Sequence, residues 1–184
     1  MTSFLKEKYN KEIVPALKEK FEIKNVMAVP KILKVSVNSG IGKYQKEKEA
    51  MDEIVKGITD ISSQKPVFSK SKKSISGFKI REGQEVGVAV TLRGERMWHF
   101  LERLIGSALP RVRDFRGIDP KNVDRDGNLN MAVREHLVFP EIVPESVHNI
   151  FGFQVNVTTS AKTREEGLEL FRLLGFPFKK EDNQ

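Results

Sequence analysis

The chain has 184 residues, of which 39% are hydrophobic and 31% charged, with a formal net charge of +7 and no cysteine. That composition excludes a disordered chain, which lacks the apolar residues to form a core, and a disulfide or thiolate–metal scaffold, which needs cysteine. No apolar run is long enough to span a bilayer and no signal-like segment follows a basic start, so one cytoplasmic domain over residues 1–184 with a single core is expected.

Leu5, Tyr9, Ile13, Leu17 and Phe21 recur every four residues with charges between them. The spacing predicts an amphipathic helix over residues 3–22, bent or restarted at Pro15. A sheet and helix body is expected over residues 30–178, followed by a short polar tail, 179–184. After Pro30 the period changes to two, with Leu33, Val35 and Val37 on one face and Lys34, Ser36 and Asn38 on the other. A half-buried strand explains this, ended by Gly40 and Gly42. Ala50, Ile54, Ile58 and Ile61 then mark a second helix.

The positive charge is concentrated in the middle of the chain. Residues 61–116 hold twelve Lys and Arg against five Asp and Glu, and Ile61 to Arg81 contains no acidic residue at all. The flanks cancel: residues 1–60 carry a surplus of three positive charges and residues 117–184 a surplus of three negative ones. A localised cationic block of this kind is the footprint expected for a phosphate backbone, since solubility alone is served as well by mixed charges.

Val86, Val88, Val90 and Leu92 face one way along a second strand, while Gly87, Ala89, Thr91 and Arg93 face the other. From Glu95 the period is helical again, through Met97, Leu101, Leu104, Ile105 and Ala108, with Pro110 stopping the run. Arg111 to Arg134 reads as a long irregular stretch with turns at Asp119-Pro120 and Asp126-Gly127. Phe153, Val155 and Val157 alternate as another strand. Thr163 to Leu174 is a final helix, with Thr163 as N-cap, Glu166 at the capping-box position and Gly175 as C-cap.

The fold class this predicts is α+β: a single-domain, two-layer sandwich of mostly antiparallel sheet, with helices on one face, the other face open, and a basic mobile loop. If the valine faces meet the helices, the open face presents Lys34, Ser36, Asn38, Gly87, Ala89, Thr91 and Arg93. Small and hydroxyl side chains admit an RNA backbone closely, and Asn, Ser and Thr can bond phosphates or 2′-hydroxyls. The loop is Lys70–Gly83, KSKKSISGFKIREG, with Lys70, Lys72, Lys73, Lys79 and Arg81 around Gly77 and Phe78. Phe78 has two readings, a ring that stacks on a base or ribose, and a core residue of a hairpin strand alternating with Ile80.

Catalytic patterns are missing. His99, His136 and His148 are the only histidines, neither His99 nor His148 has a partner at metal-ligand spacing, and Gly40-Ile41-Gly42 lacks the third glycine of a dinucleotide loop. Asp124, Asp126, Asn128 and Glu135 match the ligand spacing of a calcium loop, but Leu129 occupies the position that needs glycine. Neither a reaction nor a cofactor, metal, membrane or small-molecule substrate is expected.

The stretches VPKILKVSVNSGIG (Val29–Gly42), SSQKP (Ser62–Pro66), KSKKSISGFKIREG (Lys70–Gly83) and VTLRGERMWHFLERL (Val90–Leu104) stand in order along the chain. LPRVRDFRGI (Leu109–Ile118), REHLVFPEI (Arg134–Ile142) and LLGFPF (Leu173–Phe178) come after them. Together they resemble, over nearly the whole length, the bacterial family of large-subunit ribosomal protein number five. The resemblance implies a non-enzymatic constituent of the 50S ribosomal subunit that binds 5S rRNA and helps attach it in the central protuberance. It implies 23S rRNA and other 5S-associated large-subunit proteins nearby, a contact with P-site tRNA, and a bridge to small-subunit protein number thirteen. The 5S-facing residues it implies are Asn38, Gln64, Ser74, Phe78, Arg81 and Thr91, with the Lys72–Arg81 region approaching tRNA. Val143–Phe153, VPESVHNIFGF, departs from the family pattern, which more often has an acidic residue after the Glu-Ile and a basic residue before the glycine.

Overall fold

The computed structural model describes residues 3–44 and 47–179; apart from Lys179, the polar tail expected at 179–184 lies outside them. Four helical segments are α1 (residues 4–20), α2 (Lys48–Ser62), α3 (residues 94–111) and α4 (Arg164–Leu174). Five strands are β1 (Ile32–Gly40), β2 (Val67–Lys70), β3 (Glu85–Leu92), β4 (Leu129–Val133) and β5 (Phe153–Thr159). They form one antiparallel sheet in the order β2-β3-β1-β5-β4.

The period-two apolar residues sit in register across the sheet and make its inner face. Val90, Val37, Val155 and Met131 form one cross-strand row, and Leu92, Val35, Val157 and Leu129 the next. All eight are buried, each aliphatic side chain contributing roughly 1.5–3 kcal/mol on leaving water. The helices cover this face: Phe100 and Leu101 of α3 and Leu170 and Phe171 of α4 are fully buried. Phe100 stacks on Phe139, with ring centroids 6.0 Å apart, and Phe139 leans on Phe153 at 5.8 Å. Helix α1 buries Leu5, Tyr9, Ile13 and Leu17; the Tyr9 ring meets Trp98 of α3 at 5.5 Å, and its hydroxyl donates to the Pro30 carbonyl.

The prolines do not end their helices. Tyr9–Ile13 widens into a π-helical turn just ahead of Pro15, and Leu104–Ala108 does so ahead of Pro110. A proline ring crowds the carbonyl four residues back, and a wider turn makes room for it. Pro110, expected to stop α3, therefore lies within its last turn, and the helix ends at Arg111.

Three other expectations need correcting. Leu33 shares the period-two spacing of Val35 and Val37, but it is 42% exposed, while Ile32 is buried. The β1–β5 register shifts between Ile32 and Lys34, and such a bulge turns one residue to the other face. The stretch Arg111–Arg134 is not wholly irregular, since it contains β4, with Leu129, Met131 and Val133 buried and Asn130 and Ala132 exposed. The acid-free segment also contributes a strand, β2, which pairs with β3.

At the C-terminal end Thr163 and Gly175 cap α4 as expected: Thr163 Oγ1 accepts from the Glu166 N–H, and Gly175 closes the helix at φ 97°. Glu166 reaches back one residue farther than a capping box requires, accepting from the Lys162 N–H before the N-cap.

Candidate nucleic-acid interface

The alternation that buries the valines turns the intervening residues outward, and register assembles them into rows. Thr91, Ser36, Asn156 and Asn130 form one row across β3, β1, β5 and β4. Val67, Ala89, Asn38, Gln154 and Ala132 form the next, and Lys34 stands opposite Thr158. No acidic residue occurs in these rows. Asn38 Nδ2 donates to Asn156 Oδ1 at 3.4 Å, and Asn156 Nδ2 donates to Asn130 Oδ1 at 2.7 Å. These amides form a chain across three strands.

Of the residues expected on this face, Lys34, Ser36 and Asn38 are half-buried in the sheet and Thr91 is exposed. Arg93 comes directly after the strand at the entry to α3 and is likewise exposed. Gln64 joins them because α2 ends at Ser62, whose hydroxyl donates to the Ile58 carbonyl, and Ser63 turns the chain at φ 54°. Gln64 Nε2 then lies 3.4 Å from the Thr91 carbonyl, to which it donates.

Sequence reasoning missed the other half of the face. Gln154, Asn156 and Thr158 occupy the opposite phase of the recognised strand Phe153–Val157, so the alternation already carried their signal. Asn130 and Ala132 were lost with β4.

The basic segment forms an arm that joins β2 to β3. Ser71 N–H donates to the Gln84 carbonyl and Gly83 N–H to the Ser71 carbonyl, at 2.8 and 2.9 Å. Farther out, Ile75 and Ile80 exchange both backbone bonds, and Ser76–Phe78 makes the tip. Ser74 Oγ accepts from the Glu82 N–H, so this expected RNA ligand also braces the arm. Lys70, Lys72, Lys73, Lys79 and Arg81 are all exposed. Phe78 is 76% exposed at the tip, which removes the core reading: the segment is a hairpin, but Phe78 does not belong to its strands.

The cationic block divides between two sheet edges. The arm extends from the β2–β3 edge, whereas Arg113 and Arg116 line a cavity of about 440 Å³ at the β4 edge, together with Arg134 and Lys179. Its floor is apolar, from Leu109, Phe115, Met131 and Val138. Asp114 and Glu135 also line this cavity, leaving it a positive surplus. An acid-free polar face that carries Lys34 thus lies between two edges with a surplus of positive charge.

Two titratable groups with shifted pKa values, His136 and Glu53, serve packing away from these rows. Burial holds His136 below the ordinary imidazole value; its ring stacks on Phe151 with centroids 4.0 Å apart, and Nδ1 accepts from the Phe151 N–H. Burial pushes Glu53 up, but the Asn149 amide and the N–H groups of His148 and Asn149 outweigh it and hold the carboxyl below the usual range. Asp124, the first residue of the calcium-like pattern, accepts from the Asn128 N–H and side-chain amide and shapes a turn. Among the described residues no group of three or more His, Asp or Glu is placed to hold a metal ion, and no helix is long and apolar enough to cross a membrane.

Two family models match the chain: ribosomal protein L5 over residues 25–81, and the ribosomal L5P family C-terminus over residues 85–178. The curated relatives include the large ribosomal subunit protein uL5 of Halothermothrix orenii, 49% identical over 176 residues, covering 96% of this chain and 98% of that protein. The uL5 protein of Rubrobacter xylanophilus is 50% identical over 175 residues, covering 95% and 97%. That of Trichodesmium erythraeum is 49% identical over 179 residues, covering 97% and 99%.

Proposed function

Because this chain belongs to the ribosomal protein L5 family, we propose that it is a non-enzymatic component of the large ribosomal subunit whose open sheet face binds 5S rRNA. The observation that carries this reading is the acid-free polar face between two cationic edges. Short side chains at Ser36, Ala89 and Thr91 let a ribose–phosphate backbone lie close to the sheet. Asn38, Gln154 and Asn156 supply donors and acceptors for 2′-hydroxyls, and the two edges supply counter-charge. A-form RNA is recognised through this kind of ribose and phosphate contact across its shallow groove, so shape rather than base sequence is read.

The arm extends the reading. It leaves the sheet at one edge, so its tip reaches past whatever occupies the face. We read that second partner on the ribosome as P-site tRNA, with 23S rRNA and the other 5S-associated proteins as neighbours and a bridge to small-subunit protein number thirteen. The test is direct binding of the purified protein to a 5S rRNA transcript, with a tRNA transcript as competitor, together with co-sedimentation with 50S particles. Preference for 5S rRNA and recovery in the 50S fraction are expected. Equal affinity for both transcripts, with no protein in the 50S fraction, would reassign the chain to a general RNA-binding role outside the ribosome.

A further inference from the structure

The arm faces the body across a cleft of about 560 Å³ at the end of the open face. Phe78 and Ile80 stand on the arm side, and Tyr44, Ile150 and Phe151 on the body side. Phe78 and Ile150 are 76% and 53% exposed. Two apolar walls held apart in water each leave open what the other can cover, and bringing them together removes that surface from water.

The attachment of the arm permits that movement. At its root the Ser71 N–H donates to the Gln84 carbonyl and the Gly83 N–H to the Ser71 carbonyl, with Gly83 at φ 80°. Just inside these bonds the β2–β3 register shifts between Ser69 and Lys70. A register shift beside a glycine is where a hairpin bends most readily. The bonds farther out, Ile75 with Ile80 and Ser74 with Glu82, lie within the arm, so it swings as one piece.

Charge opposes the same movement. Lys43 lines the cleft from the body, and no acidic residue lines it. The arm brings Lys72, Lys73, Lys79 and Arg81 against Glu82 alone, all of them exposed. Positive charge therefore stands on both sides of the gap.

We propose that the arm is a lid: apolar attraction draws Phe78 and Ile80 onto Tyr44 and Ile150, like charge holds them apart, and ionic screening sets the balance. Closed, the lid shelters its own apolar tip and covers Gly40 and Gly42, where the outward residues of β1 run out. It thereby masks that end of the open face, so a closed lid and RNA seated on the face exclude each other. That consequence, unlike the lid itself, rests on the open face being the RNA-binding surface.

The test uses the full-length protein, whose lack of cysteine leaves two introduced cysteines as the only labelling sites. Ser76→Cys at the arm tip and Lys56→Cys on α2 are both exposed positions, and Lys56 adjoins Gly57, which packs on the Phe151 ring. Nitroxide labels on this pair report the arm-to-body distance by double electron–electron resonance. Between about 0.1 and about 1 M sodium chloride, where the screening length falls from about 10 to about 3 Å, a short-distance population is expected to grow. Phe78→Ser and Ile150→Ser, one on each wall, are each expected to abolish it while keeping the melting temperature. Should Ile150→Ser fail to fold, Phe78→Ser decides. A distance distribution that ignores salt, or a short distance unchanged in Phe78→Ser, would overturn the lid. These measurements contain no RNA, so that failure leaves the RNA face standing. At the lowest salt that shows the short distance, a saturating 5S rRNA transcript is expected to remove it; its persistence in the complex would overturn the mutual exclusion. If Thr91→Glu binds the transcript normally, the RNA face falls while the salt-dependent lid remains.

Discussion

Gly167 of α4 lies back to back with Gly127 in the turn before β4: a Cβ on Gly167 would sit 2.4 Å from the Gly127 Cα and equally close to its carbonyl oxygen. The obstacle is backbone, so a side chain at 167 has to push helix and turn apart. Nearby, Thr159 Oγ1 donates to the Gly127 carbonyl, tying the same turn to β5. Gly167→Ala is expected to destabilise the protein by about 1–3 kcal/mol despite alanine's better helix propensity. Denaturant unfolding measures this, and an unchanged or raised midpoint would mean that the two segments slide apart freely.

The buried His136 gives the fold a pH dependence. Its pKa is lowered in the folded state, so the unfolded chain binds a proton that the folded chain resists. Stability then rises with pH through that window: it is present above the unfolded imidazole value and is lost as pH falls below about 6.5 towards the folded value. Melting temperatures measured from about pH 7.5 down to about 5.5, a range that brackets the unfolded imidazole value, should fall. His136→Phe should flatten that slope while lowering stability overall, because the Phe151 N–H loses its acceptor. An identical slope in the variant would place the titration elsewhere.

Opposite faces of β3 should respond oppositely to a carboxylate. Val88 is 1% exposed, and burying an unpaired carboxylate there costs several kcal/mol. Val88→Asp is therefore expected to unfold or aggregate the protein, which circular dichroism and gel filtration would report. A soluble, cooperatively melting Val88→Asp variant would contradict the facing of this strand.

These strands were legible because their alternation is local. β1 and β3 each carry it, and the outward set Lys34, Ser36, Asn38 and Thr91 emerges without knowledge of pairing. Leu33 misled because the bulge that turns it outward is imposed by pairing with β5, far away in the sequence. β4 is five residues long and comes after an Asp- and Gly-rich turn, so its brief alternation was masked. The gathering of Arg113 and Arg116 with Arg134 and Lys179 is tertiary, and no spacing along the chain announces it. Phe78 and Ile80 do sit at period two, but the tip at Ser76–Phe78 interrupts the hairpin, so the spacing carried no burial.

The arm is expected to be mobile until RNA is present. Its backbone bonds are solvent-exposed, residues 72–79 are all exposed, and its charges repel one another. Hydrogen exchange on the free protein should show little protection across Lys72–Lys79, rising when RNA is added. Replacing Lys72, Lys73 and Lys79 with Ala should leave the melting temperature unchanged and weaken contact with tRNA more than with 5S rRNA. Strong protection in the free protein would instead describe a rigid probe.

The central claim, that the open face holds 5S rRNA chiefly through phosphate and ribose, is tested most directly by the affinity of Thr91→Glu across a salt series, with its melting temperature alongside. For the wild type, log K should fall with log salt by about 0.9 per neutralised phosphate on duplex RNA, or about 0.7 on single strand. Thr91 is exposed and flanked by Ser36, so the added carboxylate should leave the melting temperature nearly unchanged. Binding should weaken by on the order of tenfold or more at low salt, the deficit shrinking as salt screens it. Wild-type affinity in Thr91→Glu at every salt concentration, or a wild-type salt slope near zero, would contradict the account.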